Sequence, residues 1–201
     1  MKKIGIDARL LFQTGVGTYV QNLLHYLGEV KNDSLSYKAF ILPGDRVKAQ
    51  SWFPTFQFIS SPYTWHTFDE QLGFGLQLER EKLDLMHFTY FGHPVWYSRP
   101  FISTIHDLTP LYYTTGIASR MNRVVYMAKK CGYSFVLSNQ IRRSLHIITP
   151  SQTVKEQIIA YVANQAYESR ISSIHEGVNF RLMESKDKKN ERKYKDTYYL
   201  Y

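Results

Sequence analysis

Apolar and polar positions alternate between short runs and helical spacings from the first residues to about residue 180. Lys3–Ala8 (KIGIDA) reads as a buried strand. Tyr19–Leu27 then puts Tyr19, Val20, Leu23, Leu24 and Leu27 on one helical face. Tyr37–Leu42 is a second strand, stopped by Pro43-Gly44, and Phe56–Ile59 a third. Phe68–Leu83 is spaced as a helix weakened by Gly73 and Gly75. Asp84–Phe88 and Pro100–Ile105 are strands, Ile117–Leu137 the longest helical pattern, and Ser144–Thr149 a further strand. Pro150-Ser151 opens the helix Val154–Val162, with Thr153 and Glu156 spaced as a capping box, and Ile171–Ile174 is the last strand of the series.

Strands that alternate with helices and are apolar almost throughout are buried on both faces. The expected fold class is therefore α/β, a Rossmann-like, doubly wound, mainly parallel sheet. After Met183 the pattern breaks. Residues 184–196 (ESKDKKNERKYKD) read as a charged linker. Residues 197–201 (TYYLY) read as a strand with no partner after it. The division expected is a domain over 1–183, a linker over 184–196, and the first strand of a missing second domain over 197–201. The alternative is a final strand that joins the first sheet.

Composition narrows the function classes. The chain has 201 residues, 44% hydrophobic and 15% aromatic, with a single cysteine, Cys131, which excludes a disulfide framework and a cysteine-based zinc site. No apolar run is long enough for a membrane span, and Asp7 and Arg9 interrupt the only leader-like stretch. The cytoplasm is the expected compartment. The net charge of +8 is concentrated: residues 108–155 contain no acid but hold Arg120, Arg123, Lys129, Lys130, Arg142, Arg143 and Lys155. That stretch is either a solvated face or a surface for an anionic partner. No nucleic-acid-binding motif accompanies it.

In an open parallel sheet, ligands bind outside the carboxyl ends of the strands. Three segments fall there. The first strand runs into Thr14-Gly15-Val16-Gly17-Thr18 and a helix, a loop suited to close backbone approach and to an anion at the helix N-terminus. The motif lacks the third glycine and the acidic partner of a dinucleotide fingerprint, which argues against a nucleotide-dependent oxidoreductase. The fifth strand ends in His106-Asp107. His106 can exchange hydrogen bonds with a sugar hydroxyl. Asp107 can accept a hydroxyl proton, hold His106 in one tautomer, or simply cap the following turn. The fourth strand ends in His87-Phe88-Thr89-Tyr90-Phe91-Gly92-His93, aromatics that suit a sugar ring or an acceptor cleft, or form a hydrophobic plug. Nothing in the histidine spacing assembles a metal site. In the long helix, Ile117, Met121, Val124, Val125, Ala128 and Cys131 form an apolar stripe, which makes Cys131 a buried, inert thiol. Arg120, Arg123 and Lys130 recur on another face edged by Tyr126 and Tyr133, a face that could rest on anionic lipid.

Taken in order, IGIDARLL with TGVGTYVQNLL, Trp65 with Glu70-Gln71-Leu72, DLMHFTYFGHP, TIHDLTPL, IITPSQTVKEQI and ISSIHEGVNF resemble the N-terminal half of a GT-B glycosyltransferase of the family 4 type. The resemblance spans about residues 4–180. The last motif departs from the pattern: Glu176 stands where Asn is common and Asn179 where Asp is common. The resemblance implies a retaining transfer of a hexose, mannose or glucose, from a nucleotide sugar to a glycan or lipid-linked acceptor, as in polysaccharide biosynthesis. It implies two facing Rossmann-like domains, this one holding the acceptor and the missing one most of the nucleotide sugar, so that the chain alone should be inactive. It implies no catalytic metal or cofactor and, for many members, a peripheral place at the inner membrane face. By position it makes Gly15, Val16 and Gly17 the loop near donor phosphate and sugar, and His106 the histidine that contacts the donor sugar. Asp107 is a weaker catalytic candidate. Tyr90 and Arg120 are acceptor-side candidates, and Arg123 and Lys130 candidates for an anionic surface. The alternative is a non-catalytic module that binds anionic membrane or a phosphorylated partner through its basic helix.

Overall fold

The computed structural model describes residues 1–13, 15–30, 32–112 and 123–185. Their strands form one seven-stranded sheet, with β1 (Lys2–Asp7), β2 (Leu35–Ile41), β3 (Gln57–Ser60), β4 (Leu85–Phe88), β5 (Phe101–Thr104), β6 (Ile147–Thr149) and β7 (Ile171–Ser173). The spatial order is β3-β2-β1-β4-β5-β6-β7, and every pairing is parallel. The chain winds outward from β1 to β3 and then returns to place β4 on the other side of β1. The crevice at that reversal, outside the carboxyl ends of β1 and β4, is where a doubly wound sheet binds its ligand. The expected fold class is the one found.

Parallel strands need cover on both faces, and the side chains divide accordingly. On β2, Ala39 and Ile41 enter the cluster formed with Val20 and Leu24 of α1 (Val16–Glu29) and Ala49 of α2 (Arg46–Trp52). Phe40, between them, points through the other face onto Phe74, Leu78 and Phe88. A third cluster joins Ile105, Ile147 and Ile171 to Leu137 and Ile141 of α5 (Arg123–Arg143) and to Ile158 and Ile159 of α6 (Gln152–Val162). Fully burying each such side chain contributes about 1.5–3 kcal/mol. The remaining helices are α3 (Gly75–Glu81), α4 (Thr109–Tyr112) and α7 (Phe180–Ser185).

Four local readings change. The helical turn leading into α3 is a π-turn over Glu70–Phe74. Its Gly73 is required there because a Cβ would lie 2.1 Å from the Tyr63 ring. Helix α2 forms in a stretch where the polar–apolar pattern shows no clear face. The cap of α6 is Ser151, whose Oγ accepts from the Val154 N–H; Thr153 lies inside the helix and forms no capping box. The apolar stripe read on the long helix is not its buried face. Val125, Ala128 and Cys131 are exposed, as are Met127 and Phe135, while Leu137, Gln140 and Ile141 are buried. Apolar residues occur all round this helix, and the buried ones among its described residues, Leu137 and Ile141, fall in its last two turns, so helical spacing alone could not choose the face. Ile117, Met121 and Arg120 lie outside the described residues. So do residues 186–201, which hold most of the linker and the strand read at the C-terminus; α7 runs through 184 and 185.

Candidate functional site

Four segments meet at the carboxyl ends of β1, β4 and β5. The first is the loop from β1 into α1. Gly15 stands before the helix with φ +69°, a conformation that disfavours any side chain, and no side chain of the described residues caps the helix start. Gly17 is buried, and a Cβ there would lie 2.9 Å from the Leu11 carbonyl oxygen and 3.0 Å from that of Leu10. Backbone contact of this kind needs glycine. Gln21 of α1 donates to the same Leu11 carbonyl, 2.8 Å, and holds the loop on the helix. Val16 is the first residue of α1; Thr14 lies outside the described residues. The helix start, with no acid in its first turn, is available to an anion.

The second and third segments are the ends of β4 and β5, laced together by buried polar groups. Thr104 is a shared node: its Oγ1 lies 2.8 Å from the Tyr19 hydroxyl of α1 and 2.8 Å from His87 Nε2. Burial holds the His87 ring down to about 4, so it is neutral at physiological pH. Thr89 Oγ1 donates to the Asp7 carbonyl, 2.6 Å, and the Thr89 carbonyl in turn accepts from His106 Nε2, 2.9 Å. His106 is thereby fixed at the rim, its ring edge-to-face with Tyr19 at 5.0 Å and tilted to Tyr90 at 6.1 Å.

Tyr90 is half-buried, and its backbone carbonyl accepts from Gln140 of α5, whose Oε1 accepts the Gly92 N–H. Gln140 therefore clamps the Tyr90–Gly92 turn, while Gln71 holds the His93 carbonyl and the Val95 N–H further along the loop. Burial, reinforced by Asp107, pushes the Tyr90 phenol up, so it acts as a neutral donor or stacking surface. His93 is fully buried and held down to about 4 by burial; its Nε2 donates to Asn139 Oδ1, 3.0 Å. Among the described residues no three His, Cys, Asp or Glu side chains converge as a metal site.

The fourth segment leaves β7 and crosses the strand ends towards α1. Ile174 N–H donates to the Thr149 carbonyl and His175 Nδ1 to that of Pro150. Glu176 Oε1 lies 2.7 Å from His106 Nδ1. Asn22 donates to the Val178 carbonyl and accepts from the Phe180 N–H, Asn179 donates to Gln21, and Phe180 stacks on His25 at 4.1 Å. The partner of His106 is thus Glu176. Asp107 does not hold its tautomer: its Oδ1 accepts the Thr109 N–H, 2.7 Å, the capping arrangement that the sequence also allowed.

Of the remaining candidates, Lys130 is half-buried on α5, Arg123 is the first residue of that helix, and Arg120 lies outside the described residues. Sequence reasoning missed the charged cluster under the site. Arg9 donates through Nε and Nη2 to Asp7 at 2.8 and 2.7 Å, through Nη2 to Glu70 at 2.8 Å, and through Nη1 to the Tyr63 carbonyl at 2.9 Å. Its guanidinium lies 3.8 Å from the Phe74 ring centroid. Burial works against the charge on Arg9, but Asp7 and Glu70 outweigh it, and the net effect raises Arg9. The signal was present as two charges, Asp7 and Arg9, at and just past the buried end of β1. Glu176 was visible only as a departure from a motif.

The sequence model of the family described as Glycosyltransferase Family 4 matches residues 13–182. No curated protein matches the chain. Among solved structures it is similar to a crystal structure of a glycosyltransferase from Rickettsia africae ESF-5, at 11% identity and a TM-score of 0.48, over 94% of this chain and 50% of that one. The chain therefore spans about half the length of that protein. The family match takes in the glycine loop, the ends of β4 and β5 with His106, and the segment that carries Glu176, and the chain belongs to Glycosyltransferase Family 4.

Proposed function

We propose that this chain is the acceptor-side half of a retaining glycosyltransferase that moves a hexose, mannose or glucose, from a nucleotide sugar to a glycan or lipid-linked acceptor. The observation that carries the reading is the position of His106. It sits at the carboxyl end of β5, beside the sheet's reversal point, and is tied through Thr89 to β1 and by ring contact to Tyr19 of the glycine-loop helix.

In this reading the backbone around Gly15, Val16 and Gly17 faces the donor phosphate, where a helix start stabilises the negative charge that grows as the phosphate leaves. His106 faces the donor sugar. Tyr90 offers the acceptor a ring and a neutral hydroxyl, and Arg120 a cation. The bond from the sugar's anomeric carbon to the phosphate oxygen breaks while the acceptor oxygen bonds to the same face of that carbon. The acceptor's proton passes to the leaving phosphate oxygen or, as the alternative, to the Asp107 carboxylate at the rim. Holding donor and acceptor in this alignment supplies much of the rate. The chemistry calls for no metal or cofactor, and the nucleotide sugar is a co-substrate held mainly by a second domain joined to this one beyond α7.

The test is a transfer assay with a panel of nucleotide sugars, on this chain and on a version continued through a second domain. Turnover only in the longer protein supports the proposal. Turnover or tight donor binding by this chain alone contradicts the assignment of the donor site to a second domain.

A second reading is favoured by α5, which exposes Val125, Met127 and Phe135 beside Lys129 and Arg142. A surface of this mixture suits the anionic inner face of a membrane, as a non-catalytic docking module or as the place where a lipid-linked acceptor is met. No helix of the described residues is long and apolar enough to cross a membrane. Replacement of Lys129 and Arg142, together with Arg120, Arg123 and Lys130, by Glu should abolish co-sedimentation with anionic liposomes; unchanged co-sedimentation removes this role.

A further inference from the structure

We propose that Glu176 is the positioning residue of His106, holding its ring in a fixed plane and in the doubly protonated, cationic form at the rim of the crevice; this rests on the assignment of His106 to the transfer site. Donors and acceptors around the ring decide its form. His106 Nε2 faces the Thr89 carbonyl at 2.9 Å, and Nδ1 faces the Glu176 carboxylate at 2.7 Å. A carbonyl oxygen and a carboxylate oxygen only accept. Both ring nitrogens must therefore donate, and a neutral imidazole has one N–H to give. The imidazolium satisfies both contacts, and Glu176 supplies its counter-charge through a charge-assisted bond. The ring is nearly enclosed, with 11% of its side chain exposed, so the ion pair is shielded on the histidine side; Glu176 keeps 38% of its side chain in solvent.

The chain path explains why a residue 70 positions away reaches the ring. The segment after β7 is pinned at Thr149 and Pro150 on one side and at Gln21, Asn22 and His25 on the other. Glu176 lies between these anchors, directly over the end of β5. Among the described residues, the other titratable groups facing the ring are Tyr19 from α1, His87 and Tyr90 from β4 and the loop after it, and Asp107 beside it in the chain. Asp107 is committed to the Thr109 N–H, and His87 is neutral, so Glu176 is the carboxylate that meets the ring directly. The consequence for transfer is a ring fixed in orientation and in charge at the place assigned to the donor sugar, with no reorganisation needed during the reaction. The segment that carries Glu176 also leads towards the linker, so the charge state of His106 is tied to the docking of that segment.

The experiment is nitrogen NMR of the full 201-residue chain with labelled histidine at pH 7. It needs no donor, acceptor or turnover, so absence of transferase activity would leave its result untouched. The expected result is that both His106 ring nitrogens resonate in the protonated range. In Glu176→Ala, and in Glu176→Gln, which keeps an acceptor without the charge, one of them should move to the unprotonated range. The Asn22 side-chain amide, which donates to the Val178 carbonyl, reports whether the segment stays docked; it should stay in place in both variants. An unprotonated ring nitrogen in the parent chain overturns the proposal, as does an unchanged His106 pattern in Glu176→Ala. Simultaneous loss of the Asn22 signal would assign the change to undocking and overturn it equally.

Discussion

Arg9 and Glu70 meet at 2.8 Å beneath the carboxyl end of β1, both almost wholly buried. The pair ties the loop after β1 to the π-turn before α3, and Asp7 completes the cluster. Burial pushes the Glu70 carboxyl up, and Arg9 pulls it back only in part. Removing one partner of a buried ion pair strands the others and costs about 3–5 kcal/mol. Arg9→Met, which leaves two buried carboxylates facing one another, should therefore lower the urea midpoint far more than Lys38→Met, which removes a partly buried pair with Glu81 that water still reaches. Equal midpoints for the two variants would show that the buried cluster carries no special weight.

Two buried histidines contribute most plainly to the pH dependence of stability, and His66 is likewise held down to about 4, by burial first and then by Arg9. His87 and His93 are each held from the ordinary 6.5 down to about 4, by burial first. Below pH 6.5 the unfolded chain takes up protons that the folded chain refuses. Stability is therefore full above pH 6.5 and falls as pH drops towards 4, by ~3 kcal/mol for each ring. Urea unfolding at pH 7 and pH 4.5 measures the loss, and His93→Gln should reduce the difference between the two. A difference unchanged by His93→Gln contradicts the assignment to that ring.

The two histidines also show what the sequence could tell. Their place at the end of β4 was legible. A buried strand of a parallel sheet announces itself by its apolar run, and the residues just past its carboxyl end are then candidates for the crevice. Gly15, Gly17, Tyr90 and His106 were found the same way, and the structure brings them to one crevice. The partners were not legible. Thr104 as a node, Gln140 beneath Gly92, and Glu176 on His106 are contacts between elements 17 to 85 residues apart. Their existence depends on how the sheet is ordered and how a late segment returns across it. The long helix failed for a different reason: apolar residues on all its sides left helical spacing without a preferred face, and Cys131 was placed inside when it lies outside.

Thr104 serves two partners at once, and its loss should be felt by both. Thr104→Val leaves the Tyr19 hydroxyl and His87 Nε2 without it, at a cost of about 1–3 kcal/mol. In a Tyr19→Phe background part of that cost has already been met, so the two substitutions should fall short of additivity by at least ~0.5 kcal/mol. Strict additivity in denaturant titrations would deny that Thr104 and Tyr19 act together.

The glycine loop gives a steric prediction. A methyl group on Gly17 would press on two backbone carbonyl oxygens that cannot turn away, whereas one on Gly44 meets nothing within 4 Å. Gly17→Ala should cost about 1–3 kcal/mol and displace the loop, while Gly44→Ala should be close to neutral. Thermal unfolding compares them, and equal melting temperatures would mean that the close approach at Gly17 relaxes without cost.

The central claim is that the strand-end crevice around His106 transfers a sugar. Its most direct measurement is label transfer from a panel of nucleotide sugars to glycan and lipid-linked acceptors by this chain continued through a second domain, with and without His106→Ala. The account predicts transfer with one donor and a loss on the order of 10²–10³-fold in kcat in His106→Ala, the size expected when a group that stabilises developing charge is removed. Transfer at the parent rate in His106→Ala, or no transfer from any donor, would contradict it.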